Sequence, residues 1–368
     1  MNDRRTPAGL GYRMPPEWHP HSATWLAWPK DPVTWPDRVP EVQEIFLKMI
    51  SALAQYETVH LLVDDQATEN DVRRRLLPQV QDREVAIETS RRGISTSWDR
   101  YAHNVVFHRI PTIDSWIRDY GPNFILRNTG ELAYNDWTFN AWGNKYEEMK
   151  KDNTIPSKLE GLLKIPRFEP EIVLEGGSIE VDGAGLCMTT EQCLLNRNRN
   201  PRLNRHQIEN YLKDYLGVEK VLWLGDGIAG DDTDGHIDDL ARFVRPTTVV
   251  CALEEDPQDE NYEPLQDNYR RLRMATNAKG IRYEVVTLPM PGFVVDSEGR
   301  RLPASYANFY IANNVVLAPT FGHSNDKRAL ETLQKLFPWR RVIGIHCESL
   351  ALGMGTIHCV TQQQPATN

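Results

Sequence analysis

Strand-like and helical segments alternate along nearly the whole chain, and any fold has to accommodate that order. Residues 41–56 carry Val42, Ile45, Phe46, Met49, Ile50 and Leu53 at helical spacing, and 57–63 then read as a buried strand. Strands are expected over 104–110, 123–127 and 131–139. A helix over 205–216 has Ile208, Tyr211, Leu212 and Leu216 on one face and Gly217 as its stop. Strands over 221–224 and 239–253, a helix over 262–278 and a strand over 281–288 follow. The chain closes with a strand over 312–319, a helix over 326–336 and strands over 342–345 and 357–361. The first forty residues, with Trp18, Trp25, Trp28 and Trp35 among prolines, read as coil wrapped against the core. No Gly/Ser linker or shift in composition divides the sequence, so one α/β domain over 1–368 is expected. No Gly-x-Gly-x-x-Gly follows an early strand, which disfavours a Rossmann fold.

The net charge of −9 argues against a nucleic-acid partner, which needs a basic face, and suits a cationic substrate. No stretch approaches the ~20 apolar residues of a membrane span. The N-terminal residues lead into no apolar signal region, so a cytoplasmic protein is expected. Five cysteines are too scattered for a disulfide framework or a Cys-x-x-Cys zinc pair. Cys187, Cys193, Cys251 and Cys347 read as buried thiols. Cys359 differs: it follows Gly353-Met354-Gly355-Thr356-Ile357-His358, at the end of a short β-like run, where flexible backbone would present a nucleophile.

Three other segments carry groups that a reactive thiol would use. In 114–122, Asp119 lies near Trp116 ahead of a Gly-Pro turn, an arrangement that can hold a planar cation by N–H donors and an aromatic face. The plainer alternative is an Arg118–Asp119 pair pinning a loop. In 174–183, Glu175 stands at a Gly-Gly kink between two strands, with a solvated hairpin as the alternative. In 230–239, His236 and Asp238 are two apart and share a face if the segment is a strand, which suits an acid–base group beside a substrate carboxylate. A calcium loop fails here, because its first and last ligand positions fall on Gly230 and Ala241. One thiol, one imidazole and three carboxylates suit attack on a cationic carbon, and a guanidinium is the natural candidate.

The same segments carry a resemblance to a known family. Residues 11–18 (Gly-Tyr-Arg-Met-Pro-Pro-Glu-Trp), 21–25, 116–122, 139–143, 174–183, 191–201, 235–238, 304–310 and 357–365 resemble the agmatine deiminases and bacterial peptidylarginine deiminases, which modify guanidino groups. The resemblance implies a five-bladed α/β propeller of pseudo-repeated ββαβ units, the pentein fold, with the site on its axis. It also implies hydrolysis of agmatine to N-carbamoylputrescine and ammonia through a covalent amidino-thioether on Cys359. In that scheme Asp119 and Asp238 hold the guanidinium, His236 is acid and then base, Glu175 binds a substrate nitrogen and Trp116 packs along the substrate. No metal or cofactor is implied, and self-association is left open.

Three positions depart from the family pattern: Met354 and Thr356 stand in a Gly-Gly-Gly-Asn stretch, and Tyr120 replaces a small residue. They are expected to reshape the pocket around the amine end of the substrate. A peptidylarginine or other guanidino-compound deiminase, a Cys/His amidinotransferase and a metal hydrolase built on His236 are the alternatives.

Overall fold

The computed structural model describes residues 5–76 and 101–367, and within them the strands gather into five small sheets. After β1 (Tyr12–Arg13), β2 (His21–Ala27) leads through helix Val39–Leu53 to β3 (Thr58–Val63), parallel to it. Helix Gln66–Leu76 precedes β4 (Val105–Arg109), which is parallel to β3. In the next sheet β5 (Asn123–Arg127) and β6 (Leu132–Asn135) are antiparallel. Helix Ile155–Leu163 then leads to β7 (Arg167–Phe168), parallel to β6, while β1 covers the free edge of β5.

The pattern then repeats. β8 (Glu180–Val181) and β9 (Leu186–Thr190) form an antiparallel pair, and helix Arg205–Leu216 brings β10 (Lys220–Leu224) back parallel to β9. β11 (Ala241–Arg245), β12 (Thr248–Leu253), helix Tyr262–Met274 and β13 (Glu284–Pro289) form the fourth unit. β14 (Tyr310–Ile311), β15 (Val315–Thr320), helix Asn325–Leu336 and β16 (Arg341–His346) form the fifth. Finally β17 (Gln362–Pro365) pairs antiparallel with β2, so the first sheet is assembled from both ends of the chain. Every sheet thus has one antiparallel and one parallel neighbour around its second strand, joined by a helix.

Local sequence explains the elements. Helix Arg205–Leu216 starts on a capping box between Asn204 and Gln207 and stops at Gly217, whose φ of 68° is left-handed. Its buried face is Ile208, Leu212 and Leu216, each contributing about 1.5–3 kcal/mol of apolar burial. Three expectations fail. The Pro- and Trp-rich opening contains β2, a strand between β17 and β3 that buries Ala23, Trp25, Leu26 and Ala27. Residues 239–253 are a hairpin, because Pro246 supplies no N–H to a ladder and the chain turns there. Residues 357–360 form turns, and the last strand lies beyond them at Gln362–Pro365.

Candidate active site

Five turns meet, each just ahead of the first strand of one sheet. They carry Asp119 before β5, Glu175 before β8, His236 and Asp238 before β11, Asn308 before β14 and Cys359 before β17. Asn308 Nδ2 lies 3.2 Å from Cys359 Sγ, which is 3.8 Å from Asp238 Oδ2. His236 Nδ1 is 3.8 Å from Asp119 Oδ1. All six side chains are buried. The six residues singled out from the sequence therefore come together, with Trp116 beside Gly355 and Cys359: a Cβ on Gly355 would lie 2.7 Å from the Trp116 ring and 3.2 Å from Sγ.

Close approach is bought by glycine. A Cβ on Gly177 would lie 2.7 Å from His236 Nδ1, 2.8 Å from Asp119 Oδ1 and 3.1 Å from Asp238 Oδ2. The Gly176–Ser178 turn is a 3₁₀ turn and the strand begins only at Glu180, so the Gly-Gly pair is a contact surface. His236 and Asp238 do not share a strand face either. His236 precedes a 3₁₀ turn over Ile237–Asp239, which folds both side chains inward.

Hydrogen bonds fix some oxygens and leave others free. Trp142 Nε1 donates to Asp119 Oδ2 at 2.8 Å and Gly177 N to Oδ1 at 2.9 Å. Trp142 is held at φ 52° by the Asn140 side chain, which accepts from Gly143 N at 2.8 Å. Arg199 Nε donates to Glu175 Oε1 at 2.9 Å. Glu175 Oε2, Asp238 Oδ1 and both ring nitrogens of His236 are buried without a protein partner. Such groups carry a desolvation cost unless a ligand answers them. Arg118 does not pair with Asp119. It donates to Gln363 Oε1 at 2.7 Å and His358 O at 3.3 Å, and meets Glu17 Oε2 at 3.4 Å.

The electrostatics follow from crowding acids in a dry place. Burial, then the charges of Asp238, Asp239 and Asp119, push the Cys359 thiol well above its usual range. Burial alone would lower the His236 imidazole, but Asp119, Cys193 and Glu175 outweigh it and raise it well above. Asp119 is raised by burial and by Asp238 and Glu175, while His236 and the Trp142 N–H hold it back. Asp238 goes the other way: burial would raise it, and the bond and charge of His358 bring it below the ordinary carboxylate range. Before substrate arrives the site thus favours the protonated thiol and the charged imidazole.

A cavity of about 1300 Å³ opens onto Cys359, Asp119, Trp116 and Trp142. Its rim carries Asp37, Glu41, Asp232, Asp296, Glu298 and Glu348 against Arg38, Arg300 and Arg301. Of the three departures only Met354 reaches this cavity, at a left-handed φ of 71°. Tyr120 is buried with its hydroxyl on Asp114 O at 2.7 Å, and Thr356 donates to Asn308 Oδ1 at 2.7 Å. Tyr120 and Thr356 thus lie behind the lining. Two triads hold ligand-capable atoms within 4.8 Å of one another, Glu175–Cys193–His236 and Asp238–Asp239–Cys359. Five of these six residues belong to the turns just described.

Sequence reasoning missed Asn308, Trp142, Arg199, His358 and Glu17. His358 was visible beside Cys359, and the others lay in segments already marked by the resemblance; nothing in their own chemistry singled them out.

Residues 13–365 match the family profile of Porphyromonas-type peptidyl-arginine deiminase. The chain belongs to that family. The agmatine deiminase of Medicago truncatula is 38% identical over 398 residues, covering 100% of each chain. A solved structure of the agmatine deiminase of Enterococcus faecalis, described as catalyzing its reaction, is 36% identical with a TM-score of 0.85 over 98% of both chains. An inosamine-phosphate amidinotransferase of Streptomyces griseus, 12% identical, shares the mixed α/β fold at a TM-score of 0.50 over 97% of both. For this member of the deiminase family, likeness to the first two spans the complete set of turns that form the site.

Proposed function

We propose that the chain hydrolyses agmatine to N-carbamoylputrescine and ammonia. The observation that carries this reading is the geometry at Cys359: a thiol 3.8 Å from the Asp238 carboxylate, in a buried cluster with the His236 imidazole and with carboxylate oxygens of Glu175 and Asp238 that have no protein partner. A guanidinium answers all of these at once, because it is a planar cation with five N–H donors and an electrophilic carbon. Its charge offsets the acids that hold the thiol protonated, so substrate arrival favours the thiolate, and the thiol proton leaves to solvent through the cavity. Asp119 and Asp238 accept the guanidinium N–H groups, Glu175 Oε2 takes a further one, and Trp116 and Trp142 wall the apolar chain.

The steps follow. Cys359 Sγ bonds to the guanidinium carbon, and the electron pair of one C=N bond moves to nitrogen. The His236 imidazolium gives its proton to the departing –NH2, which leaves as ammonia, and a cationic amidino-thioether remains on Cys359. Neutral His236 then takes a proton from water as the oxygen bonds to the same carbon. Collapse expels the sulfur, which takes up the hydroxyl proton and is again the thiol, and leaves the neutral ureido group. No metal or cofactor enters the scheme.

The acidic rim suits a substrate with a second cation, as agmatine has, over one bearing a carboxylate. Peptidyl-arginine is the second reading, favoured by a cavity larger than a small molecule needs. An amidinotransferase is the third. Five like units, each giving one turn to the site, support a single five-bladed propeller domain closed by β17 on β2. No helix among the described residues is long and apolar enough to cross a membrane, in keeping with a cytoplasmic enzyme.

Acid quench during turnover of agmatine, followed by mass spectrometry of the peptide with Cys359, tests the covalent step. An amidino adduct on Cys359 is expected; turnover with an unmodified Cys359 at every quench time would overturn it.

A further inference from the structure

His358 lies between two buried carboxylates. Its Nδ1 is 2.6 Å from Asp238 Oδ2, and its Nε2 is 2.7 Å from Glu17 Oε2. The backbone is held as well: His358 N donates to Asn308 Oδ1 at 2.9 Å and its carbonyl accepts from Arg118 Nε at 3.3 Å. Glu17 is itself surrounded by donors: Arg242 at 2.8 Å, Ile311 N at 2.8 Å and Arg118 at 3.4 Å. Burial would raise the Glu17 carboxyl, and Arg242, His358 and Arg118 together hold it well below the usual range.

Both ring nitrogens of His358 thus lie against carboxylate oxygens, one on each side of the ring. The two histidines near Cys359 are therefore not equivalent. Both nitrogens of His236 are free to exchange a proton with substrate, whereas both nitrogens of His358 are committed. Asp238 shows the consequence, with Oδ2 pinned by His358 and Oδ1 buried and unpartnered.

We propose that His358, braced by Glu17, is a positioning residue that clamps Asp238 through Oδ2 and aims its free Oδ1 at the guanidinium. The identity of the ligand rests on the deiminase reading above. Without this clamp Asp238, beside Cys359 Sγ, would lose its hydrogen-bonded partner and keep only the charges of His236 and Arg242. The other charged or titratable groups facing the pair come from several elements: Arg118 and Asp119 before β5, Glu180 on β8, His236 and Asp239 before β11, Arg242 on β11 and Cys359 itself.

Two amide substitutions separate the two sides of the ring, because an asparagine amide nitrogen falls near Nδ1 and a glutamine one near Nε2. His358→Asn should keep kcat/KM for agmatine within about tenfold, whereas His358→Gln should lose about 10²-fold, mostly as a rise in KM. In His358→Gln the acidic limb of kcat/KM should move up by about one pH unit or more, as Asp238 reverts to the behaviour of a buried carboxyl. Equal losses in both variants with an unmoved acidic limb would overturn the proposal. Crystal structures of the two variants give a second test that needs no activity: Asp238 should keep its place in His358→Asn and turn away in His358→Gln, and an Asp238 unmoved in both would overturn the clamp. If the wild type turns over no guanidine, the function reading fails while this second test still reports on His358.

Discussion

Asn308 points its amide nitrogen at Cys359 Sγ across 3.2 Å, and it has little choice. Its Oδ1 accepts from Thr356 Oγ1 at 2.7 Å and His358 N at 2.9 Å, which fixes the side-chain flip and leaves Nδ2 for the sulfur. The thiolate therefore has a fixed side-chain donor, beside the Thr356 backbone, amid Asp238, Asp239 and Asp119. A hydrogen bond to a charged group contributes about 1.5–3 kcal/mol. Asn308→Ala should thus lower kcat for agmatine by about 10–10²-fold, and ultraviolet titration should show the thiolate forming at higher pH. Unchanged kcat would remove Asn308 from the site's workings.

Cys359→Ala should abolish turnover, by about 10⁴-fold or more, while the fold persists. Agmatine should still bind and raise the melting temperature, because the carboxylates remain; saturation at a hundred times Kd corresponds to about 2.7 kcal/mol. A variant that melts alone at the wild-type temperature yet shows no shift with agmatine would mean that the guanidinium is held elsewhere.

Gly177→Ala tests the close approach of the turns. The new methyl would sit 2.7 Å from His236 Nδ1 and 2.8 Å from Asp119 Oδ1, so one of them must move. Misplacement on this scale costs about 10²-fold in rate. Steady-state kinetics on the folded variant should show it, with a fall in kcat; wild-type kcat would mean the turn has slack that the geometry does not suggest.

Much of the site was legible because its chemistry is concentrated in short polar runs rich in glycine. Asp119, Glu175, His236, Asp238 and Cys359 each stand out as reactive groups at breaks in the pattern. Asn308 does not, since a single asparagine in 304–310 has no chemistry of its own until β14 places it opposite Cys359. The helices were legible from their apolar faces. The strand β2 was not, because Pro and Trp mask a segment whose partners, β17 and β3, come from opposite ends of the chain. Periodicity reads neighbours within a segment, and β17 is more than three hundred residues away from β2.

Stability should fall in mild acid through a pair far from the catalytic turns. His60 Nδ1 and His108 Nε2 are 2.8 Å apart on adjacent strands, and Trp25 stacks on both rings. Burial, then His108, lowers His60 to about 4. The unfolded chain takes that proton near pH 6.5, so the unfolded state binds more protons between pH 6.5 and 4 and stability drops as pH falls through that window. The loss should be on the order of 1 kcal/mol after solvent screening. Thermal melts of His60→Gln should lack this part of the decline; a parallel pH profile would show that the pair does not carry it.

The central claim is that this site deiminates a small dicationic guanidine. Purified protein, with no metal added, should be offered agmatine, free arginine and a peptidyl-arginine separately, and ureido product measured for each. Turnover of agmatine well above the other two is the predicted result. Turnover of peptidyl-arginine alone would keep the chemistry and contradict the substrate, and no ureido product from any of the three would contradict the account.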